Sequence, residues 1–507
     1  MLKNIPWVQN TQGISFNIED RPLINPQRKE GLQLNPTHSK KKHARPYILS
    51  KDIALRSWSR VPYAYYHRQQ TYASGLTREE FATLLQCDGQ HELIETPILK
   101  RLISQDLCHP AAPKEELSAW QKPRYARNRH FPKIFWSITE RCPYHCRHCY
   151  NWTETDSLPE FSWQECLDLI EAADACGIQR FKLTGGEPLM HPHFLDIVRE
   201  IHSRGMEVEK IYTSGACLTQ EILTSLHQIG CQAVFKIAFD GIGQHDWLHQ
   251  QAGAEETSRK AMQLCLKNGF TVHAIINVHR QNIDTLLPTA VMLDHLGVQA
   301  MQILRTTESP AFRKYAPDAS LPAKEYLDGL VHFIPAYLAS GAAIPIEIWS
   351  LIRLHPQQIR KNKTQFLKDF AAFSTDETCR LSRPVCRSNR ALVGVAADGE
   401  LYPCLTMTGL LREKGISFGN VKQHNLMELL TQGDYIQAIG TTLQDLKNQN
   451  SDCAGCPYFP RCWGGCRAYA LALTGDYMGT DSFSCTYQKE GYWKKIYDAI
   501  QASAAGT

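Results

Sequence analysis

The sequence predicts an α/β protein. Its centre should be a partial barrel of six strand–helix units, with a small domain before it and a cysteine-rich domain after it. Three observations lead there. From Phe131 to about Trp349, short apolar runs alternate with amphipathic stretches, the pattern of a parallel sheet with helical crossovers. Ahead of that region lies a stretch with its own capping signals. Beyond about Cys379 the alternation gives way to crowded cysteines.

Residues 1–44 are polar and close on the basic run Lys40-Lys41-Lys42-His43, as a flexible, solvated tail would. Residues 45–112 read as a compact unit. Thr77 and Glu80 make a capping box before Phe81, Leu84 and Leu85. Asp88-Gly89 signals a turn, and Ile94, Ile98, Leu99, Leu102 and Ile103 follow at helical spacing. The expectation is a small helical domain of the winged-helix kind. A charged linker, 113–130, leads into the barrel, 131–350.

The first barrel strand is expected from Ile134 to Ile138. Ser162 and Glu165 form a second capping box, before a helix that should end near Cys176-Gly177. Strands are then expected around Phe181, Ile211, Phe235, Ile275 and Ile303, separated by helices from about Phe194, Thr219, Ser258 and Thr285. Right-handed crossovers curl such a sheet into a partial (β/α)6 barrel. In residues 351–507 regular helices should thin out and cysteines should organise the chain.

A net charge of +4 calls for neither nucleic acid nor an anionic membrane as partner. No apolar run approaches the roughly 20 residues of a membrane span, and Met1 to Asp20 has no apolar core of a secretory signal. Eighteen cysteines in such a chain point to metal ligands in a reducing cytoplasm rather than to disulfides.

Cys142, Cys146 and Cys149 stand directly after the first strand, spaced C-x3-C-x2-C. The same spacing would suit a buried stripe on a helix, but the neighbours Arg141, His145, Arg147 and His148 are polar. Three thiolates hold a four-iron cubane with one iron left open for a ligand. One strand–helix unit later comes Gly185-Gly186-Glu187-Pro188. Glycines let backbone approach closely, and a glutamate can accept from an ammonium group.

Together the two motifs resemble the radical S-adenosylmethionine (SAM) enzymes. The resemblance implies a [4Fe–4S] cluster whose open iron chelates SAM and cleaves it to a 5′-deoxyadenosyl radical, with the SAM amino group at Gly185 to Pro188. It further implies SAM contacts from Thr213 and Ser214 after the third strand and from Asp240 after the fourth. Asn277 and Arg305, at the ends of the fifth and sixth strands, are further candidates. Asp240-Gly241 resembles the family's S-x-D-G segment, with Ala238 in place of the serine.

The C-terminal pattern is Cys386, Gly399, Cys404, then Cys453-x2-Cys456-x5-Cys462-x3-Cys466, and finally Cys485. Asp398-Gly399 signals a hairpin that returns Cys404 beside the chain leaving Cys386. A zinc site would suit the C-x2-C pair, but needs only four ligands. The pattern resembles the SPASM domain, which carries auxiliary clusters. By that resemblance Cys379, Cys386, Cys404 and Cys466 would hold one [4Fe–4S] cluster, and Cys453, Cys456, Cys462 and Cys485 a second.

The run from Phe81 to Gly89 resembles the leader-peptide recognition element of peptide-maturation systems, which binds by adding a strand to its sheet edge. The expected function is therefore a maturase that oxidatively modifies, and crosslinks, a ribosomally made peptide. Its partners would be a precursor peptide at the N-terminal domain and an electron donor such as flavodoxin or ferredoxin. A formylglycine-forming enzyme of the anaerobic sulfatase-maturase type and a non-catalytic iron–sulfur or zinc scaffold are the other readings.

Overall fold

A computed structural model describes residues 44–68, 73–152, 159–375, 380–386 and 391–502. The predicted flexible tail, residues 1–43 of it, and Cys379 lie outside the described residues.

The central sheet follows the apolar runs. Strands β8 (Lys133–Ser137), β9 (Arg180–Thr184), β10 (Glu207–Thr213), β11 (Val234–Ala238), β12 (Val272–Val278) and β13 (Ala300–Arg305) lie side by side, in chain order and all parallel. One face of each is fully apolar: Ile134 and Trp136, Phe181 and Leu183, Phe235 and Ile237 are buried against the connecting helices. The opposite face carries Lys133, Phe135, Lys182, Tyr212 and Lys236. The six predicted units are all present.

The sheet is wider than six strands. Ile346–Ile348 (β14) adds a seventh parallel strand, and Ile352–Leu354 (β15) turns back against it. At the other edge Leu392–Val395 (β16) pairs in parallel with β8, and Leu401–Tyr402 (β17) closes the predicted hairpin. Asp398-Gly399 makes its turn, with Gly399 at φ +91°, where a side chain would be strained. The cysteine-rich region thus joins the barrel by backbone pairing.

Two sequence expectations need correction. The first concerns residues 45–110, read as helical. Both expected helices form there: Arg78–Leu85 (α1), with the Thr77–Glu80 capping box closed in both directions, and Pro97–Ser104 (α2), capped by Thr96. They lie among six strands. Arg45–Leu49 (β1) is flanked by Asp88–Leu93 (β5) and Cys108–Pro110 (β6), and Ile53–Trp58 (β2), Val61–His67 (β3) and Ala73–Gly75 (β4) form a second sheet with Arg124–Tyr125 (β7). All six residues of β2 are buried, so it shows none of the alternation that marks a half-exposed strand.

The second concerns the C-terminal region, where helices do not thin out. Asp434–Gly440, Leu443–Gln449, Arg467–Thr474, Ser482–Lys489 and Tyr492–Ala502 are all helical. Four of the five are eight residues or shorter, too short to show a clear apolar period. In the barrel, the helix Ala254–Lys267 also starts earlier than expected. Gly253, at φ +78°, opens it, and Glu255 and Glu256 occupy the first turn, where the helix dipole favours acids.

Arg56, fully buried on β2, docks the N-terminal unit on the barrel. It donates to Leu55 O at 2.7 Å, Trp120 O at 2.9 Å, Lys122 O at 3.0 Å and Gln179 Oε1 at 2.6 Å. Gln179 immediately precedes β9, so this one side chain ties both units together. No helix among the described residues is long and apolar enough to cross a membrane.

Candidate functional site

The loop after β8 carries Cys142, Cys146 and Cys149, and three neighbours brace it. Gly186 N–H donates to Thr139 O and Glu187 N–H to Arg141 O, both at 2.8 Å. A Cβ on Gly185 would collide with Thr139 O, and one on Gly186 would lie 2.5 Å from the carbonyls of Glu140 and Arg141. These glycines are therefore required by the cysteine loop itself. From the far side, Arg412 pairs with Glu140 at 2.6 Å and with Asp398 at 2.7 Å, and Gly409 N–H donates to Tyr150 O at 2.8 Å. Arg147 N–H is donated to Leu248 O at 2.8 Å.

The three sulfurs converge. Burial pushes Cys142 up to about 12, with Glu187 and Cys149 adding to the rise. Burial also raises Cys146, helped by the charges of Cys149 and Cys142. A metal that binds these thiols must displace their protons.

Glu187 is fully buried. Its Oε1 accepts from Thr213 Oγ1 at 2.7 Å, and its Oε2 accepts from Ser214 N at 2.9 Å and Ser214 Oγ at 2.6 Å. Gly185, Gly186, Glu187, Thr213 and Ser214 therefore form one constellation beside the cysteine loop, and Pro188 opens the short helical turn that follows.

A second network lies behind the cysteines, and pattern reading found only part of it. The helix His245–His249 (α6) places His249 Nδ1 3.1 Å from Cys146 Sγ and its Nε2 2.8 Å from Asp240 Oδ2. Asp240 N–H donates to His245 Nδ1 at 2.9 Å. The other nitrogen of His245 bonds Ser258 Oγ at 3.1 Å, and Ser258 Oγ donates to Ser214 O at 3.1 Å. A hydrogen-bonded chain thus runs from Glu187 through Ser214, Ser258, His245, Asp240 and His249 to Cys146. Against the opposing effect of burial, the neighbouring His245 and His249 hold the Asp240 carboxyl well below its usual range. Asp240, His245 and His249 have the spacing of a metal site, but every ring nitrogen already has a partner. His249 was missed by pattern reading; its signal was a second histidine four residues after His245, on the same helix face.

Asn277 is tied into the same network, donating its N–H to Asp240 Oδ1 at 2.6 Å, with its amide 3.3 Å from His148 Nε2. Arg305 points to the C-terminal region. Its guanidinium lies 3.8 Å from the Tyr469 ring centroid, 4.5 Å from that of Phe483 and 3.9 Å from Asp481. Asp481 Oδ2 in turn accepts Cys466 N–H at 2.9 Å. Aromatic and acidic partners at the seam thus engage the side chain expected at SAM.

The downstream cysteines gather in two groups. Burial pushes Cys466 up to about 12, and Asp481, Cys404 and Cys386 add to the rise. Burial likewise pushes Cys462 up to about 12, with Cys485, Cys453 and Cys456 adding. Groups interleaved in sequence are separate in space.

Residues 136–293 match the family model described as the radical SAM superfamily, and residues 386–457 match the iron–sulfur cluster-binding SPASM domain. The chain carries a radical SAM domain followed by a SPASM domain. An AdoMet-dependent heme synthase of Methanosarcina barkeri is 24% identical over 70% of this radical SAM chain and 96% of its own. A PqqA peptide cyclase of Methylobacterium nodulans is 26% identical over 68% of this chain and 83% of its own. Among solved structures, Streptococcus suis SuiB bound to precursor peptide SuiA covers 86% of this chain and 99% of its own, with a TM-score of 0.61 and 13% identity. Native anSMEcpe with bound AdoMet covers 73% and 98%, with a TM-score of 0.53 and 15% identity. These two likenesses concern the fold. Since β8 begins only at Lys133, coverage of 86% carries the SuiB match into the N-terminal unit.

The donor set fits the cofactors of a radical SAM enzyme, with thiols converging in one group of three and two further groups. Replacing Gly186 by alanine should displace the cysteine loop. Overpacking of this kind costs about 1–3 kcal/mol, and SAM-dependent 5′-deoxyadenosine formation should fall well below wild type while the melting temperature drops by only a few degrees.

Proposed function

We propose that this radical SAM enzyme is a maturase that oxidatively modifies, and crosslinks, a ribosomally made peptide. In this reading Cys142, Cys146 and Cys149 hold the SAM-binding [4Fe–4S] cluster. Cys386, Cys404 and Cys466 hold one auxiliary cluster, with Cys379 as its fourth ligand, and Cys453, Cys456, Cys462 and Cys485 hold the other. When bound, these groups supply a 5′-deoxyadenosyl radical that takes a hydrogen from the peptide and a sink for the electron that the oxidation releases.

The protein's own residues do the rest. Gly185 to Pro188, Thr213 and Ser214 present acceptors and backbone where the SAM amino acid would lie. Asp240 and Asn277 fix the wall of the same site. Arg412 and Arg305 lock the barrel to the SPASM region, which holds the cluster loop and the auxiliary cysteines at a constant spacing. Flavodoxin or ferredoxin would serve as electron donor, and a reducing cytoplasm suits the thiol ligands. Residue ranges 45–112, 131–350 and 351–507 serve as the recognition, barrel and auxiliary-cluster domains.

The N-terminal unit carries the peptide reading. Its strand β5 pairs with β1 on one side; none of its six residues is buried, and three, Gln90, His91 and Glu92, are exposed. Such an edge suits addition of a peptide strand. The SuiB likeness, in a structure that holds a precursor peptide, reaches into this unit, and a PqqA peptide cyclase is among the relatives.

The test is anaerobic incubation of the full chain with SAM, a reductant and candidate leader-bearing peptides, followed by mass spectrometry. A product two hydrogens lighter and unreactive toward aldehyde reagents is expected, and its formation should fail when the leader is removed. An aldehyde product would instead establish the formylglycine reaction. Leader-independent turnover would remove the recognition role of the N-terminal unit.

A further inference from the structure

In the first cysteine loop, Cys146 has a side-chain partner from another strand–helix unit: His249 Nδ1 stands 3.1 Å from its Sγ.

His249 is nearly fully buried and held from several directions. Its Nε2 lies 2.8 Å from Asp240 Oδ2. The His245 ring packs against it at 4.0 Å between centroids, and the Tyr144 ring meets it edge-on at 5.7 Å. Asp240 cannot turn away, because its Oδ1 accepts Asn277 N–H at 2.6 Å and its own N–H is donated to His245. A ligating cysteine is a thiolate and can only accept. With Nε2 on the Asp240 carboxylate, the ring presents Nδ1 to the Cys146 sulfur.

We propose that His249, oriented by Asp240, is a positioning residue that donates a hydrogen bond to the Cys146 thiolate and thereby raises the reduction potential of the cluster this thiolate holds. The proposal rests on the assignment of Cys142, Cys146 and Cys149 as ligands. Its physical basis is simple. A hydrogen bond to a ligand sulfur draws electron density from it and so favours the reduced, more negative cluster. This partner belongs to a side chain, so substitution removes it. The link through Asp240, His245, Ser258 and Ser214 to Glu187 also fixes the distance between the cluster loop and the glutamate expected at the SAM amino group.

The experiment is an EPR-monitored redox titration of the reconstituted full-length protein, following the signal that changes when SAM is added. Three variants are compared with wild type. His249→Phe keeps a ring and removes the donor. His249→Asn keeps an amide donor near the Nδ1 position. Asp240→Asn removes the carboxylate that orients the ring. The midpoint should fall most in His249→Phe and less in Asp240→Asn, and should return toward wild type in His249→Asn, at equal iron content. Equal midpoints in wild type and in every variant that retains its iron would overturn the proposal. If His249→Phe fails to assemble the cluster, the order of the other two variants against wild type decides in the same way. A wild-type protein without any SAM-responsive signal would overturn the ligand assignment itself, a separate outcome.

Discussion

Replacing Cys142, Cys146 and Cys149 together by alanine should reduce SAM cleavage to background. The same protein should keep its fold and about eight irons, the content of two four-iron clusters. The effect is large because no other group in the loop substitutes for a thiolate. The fold survives because the loop is braced from outside its sulfurs, by Gly186 and Glu187 on one side and Arg412 and Gly409 on the other. Alanine at three half-buried positions leaves those backbone bonds in place. The measurement is 5′-deoxyadenosine formed after reduction by dithionite, alongside iron and melting temperature. Retained cleavage would remove these cysteines from the SAM site.

Replacing Cys462 and Cys466 by alanine tests the other end of the molecule. These two cysteines fall in different spatial groups, so the pair removes one ligand from each proposed auxiliary cluster. Peptide product should fall at least about a hundredfold, and uncoupled 5′-deoxyadenosine formation should continue. The separation is expected because electron removal from the substrate lies after hydrogen abstraction. The bond from Cys466 to Asp481, which also faces Arg305 at the seam, comes from the backbone N–H and survives the change to alanine. The single variant Cys462→Ala leaves that seam untouched altogether, so a loss there assigns the effect to the cluster. Product formation at the wild-type rate in the double variant would contradict an oxidative role for these cysteines.

The barrel was legible in the sequence because its strands are short apolar runs and several helices open on a side-chain cap. The boxes at Thr77–Glu80 and Ser162–Glu165 close as their spacing implies. The cysteine loop and the glycine turn were legible because their chemistry demands those residues. The reason for the glycines was less visible: they make room for the carbonyls of Thr139, Glu140 and Arg141, which only the folded loop brings there. The strands of the N-terminal unit stayed hidden because β2 is buried on both faces. Arg305 shows a different limit. Its place at the end of β13 suggested the SAM site, but Tyr469, Phe483 and Asp481, more than 160 residues away in the chain, claim its side chain. His249 shows the same limit in reverse, since its partner Cys146 lies 103 residues earlier.

Iron and sulfide analysis of the anaerobically reconstituted full-length wild-type protein tests the central claim most directly. Three [4Fe–4S] clusters require about twelve irons and twelve sulfides per chain. A value near twelve, with no zinc retained, is the predicted result. A value near four, or stoichiometric zinc in place of iron at the downstream cysteines, would contradict the account.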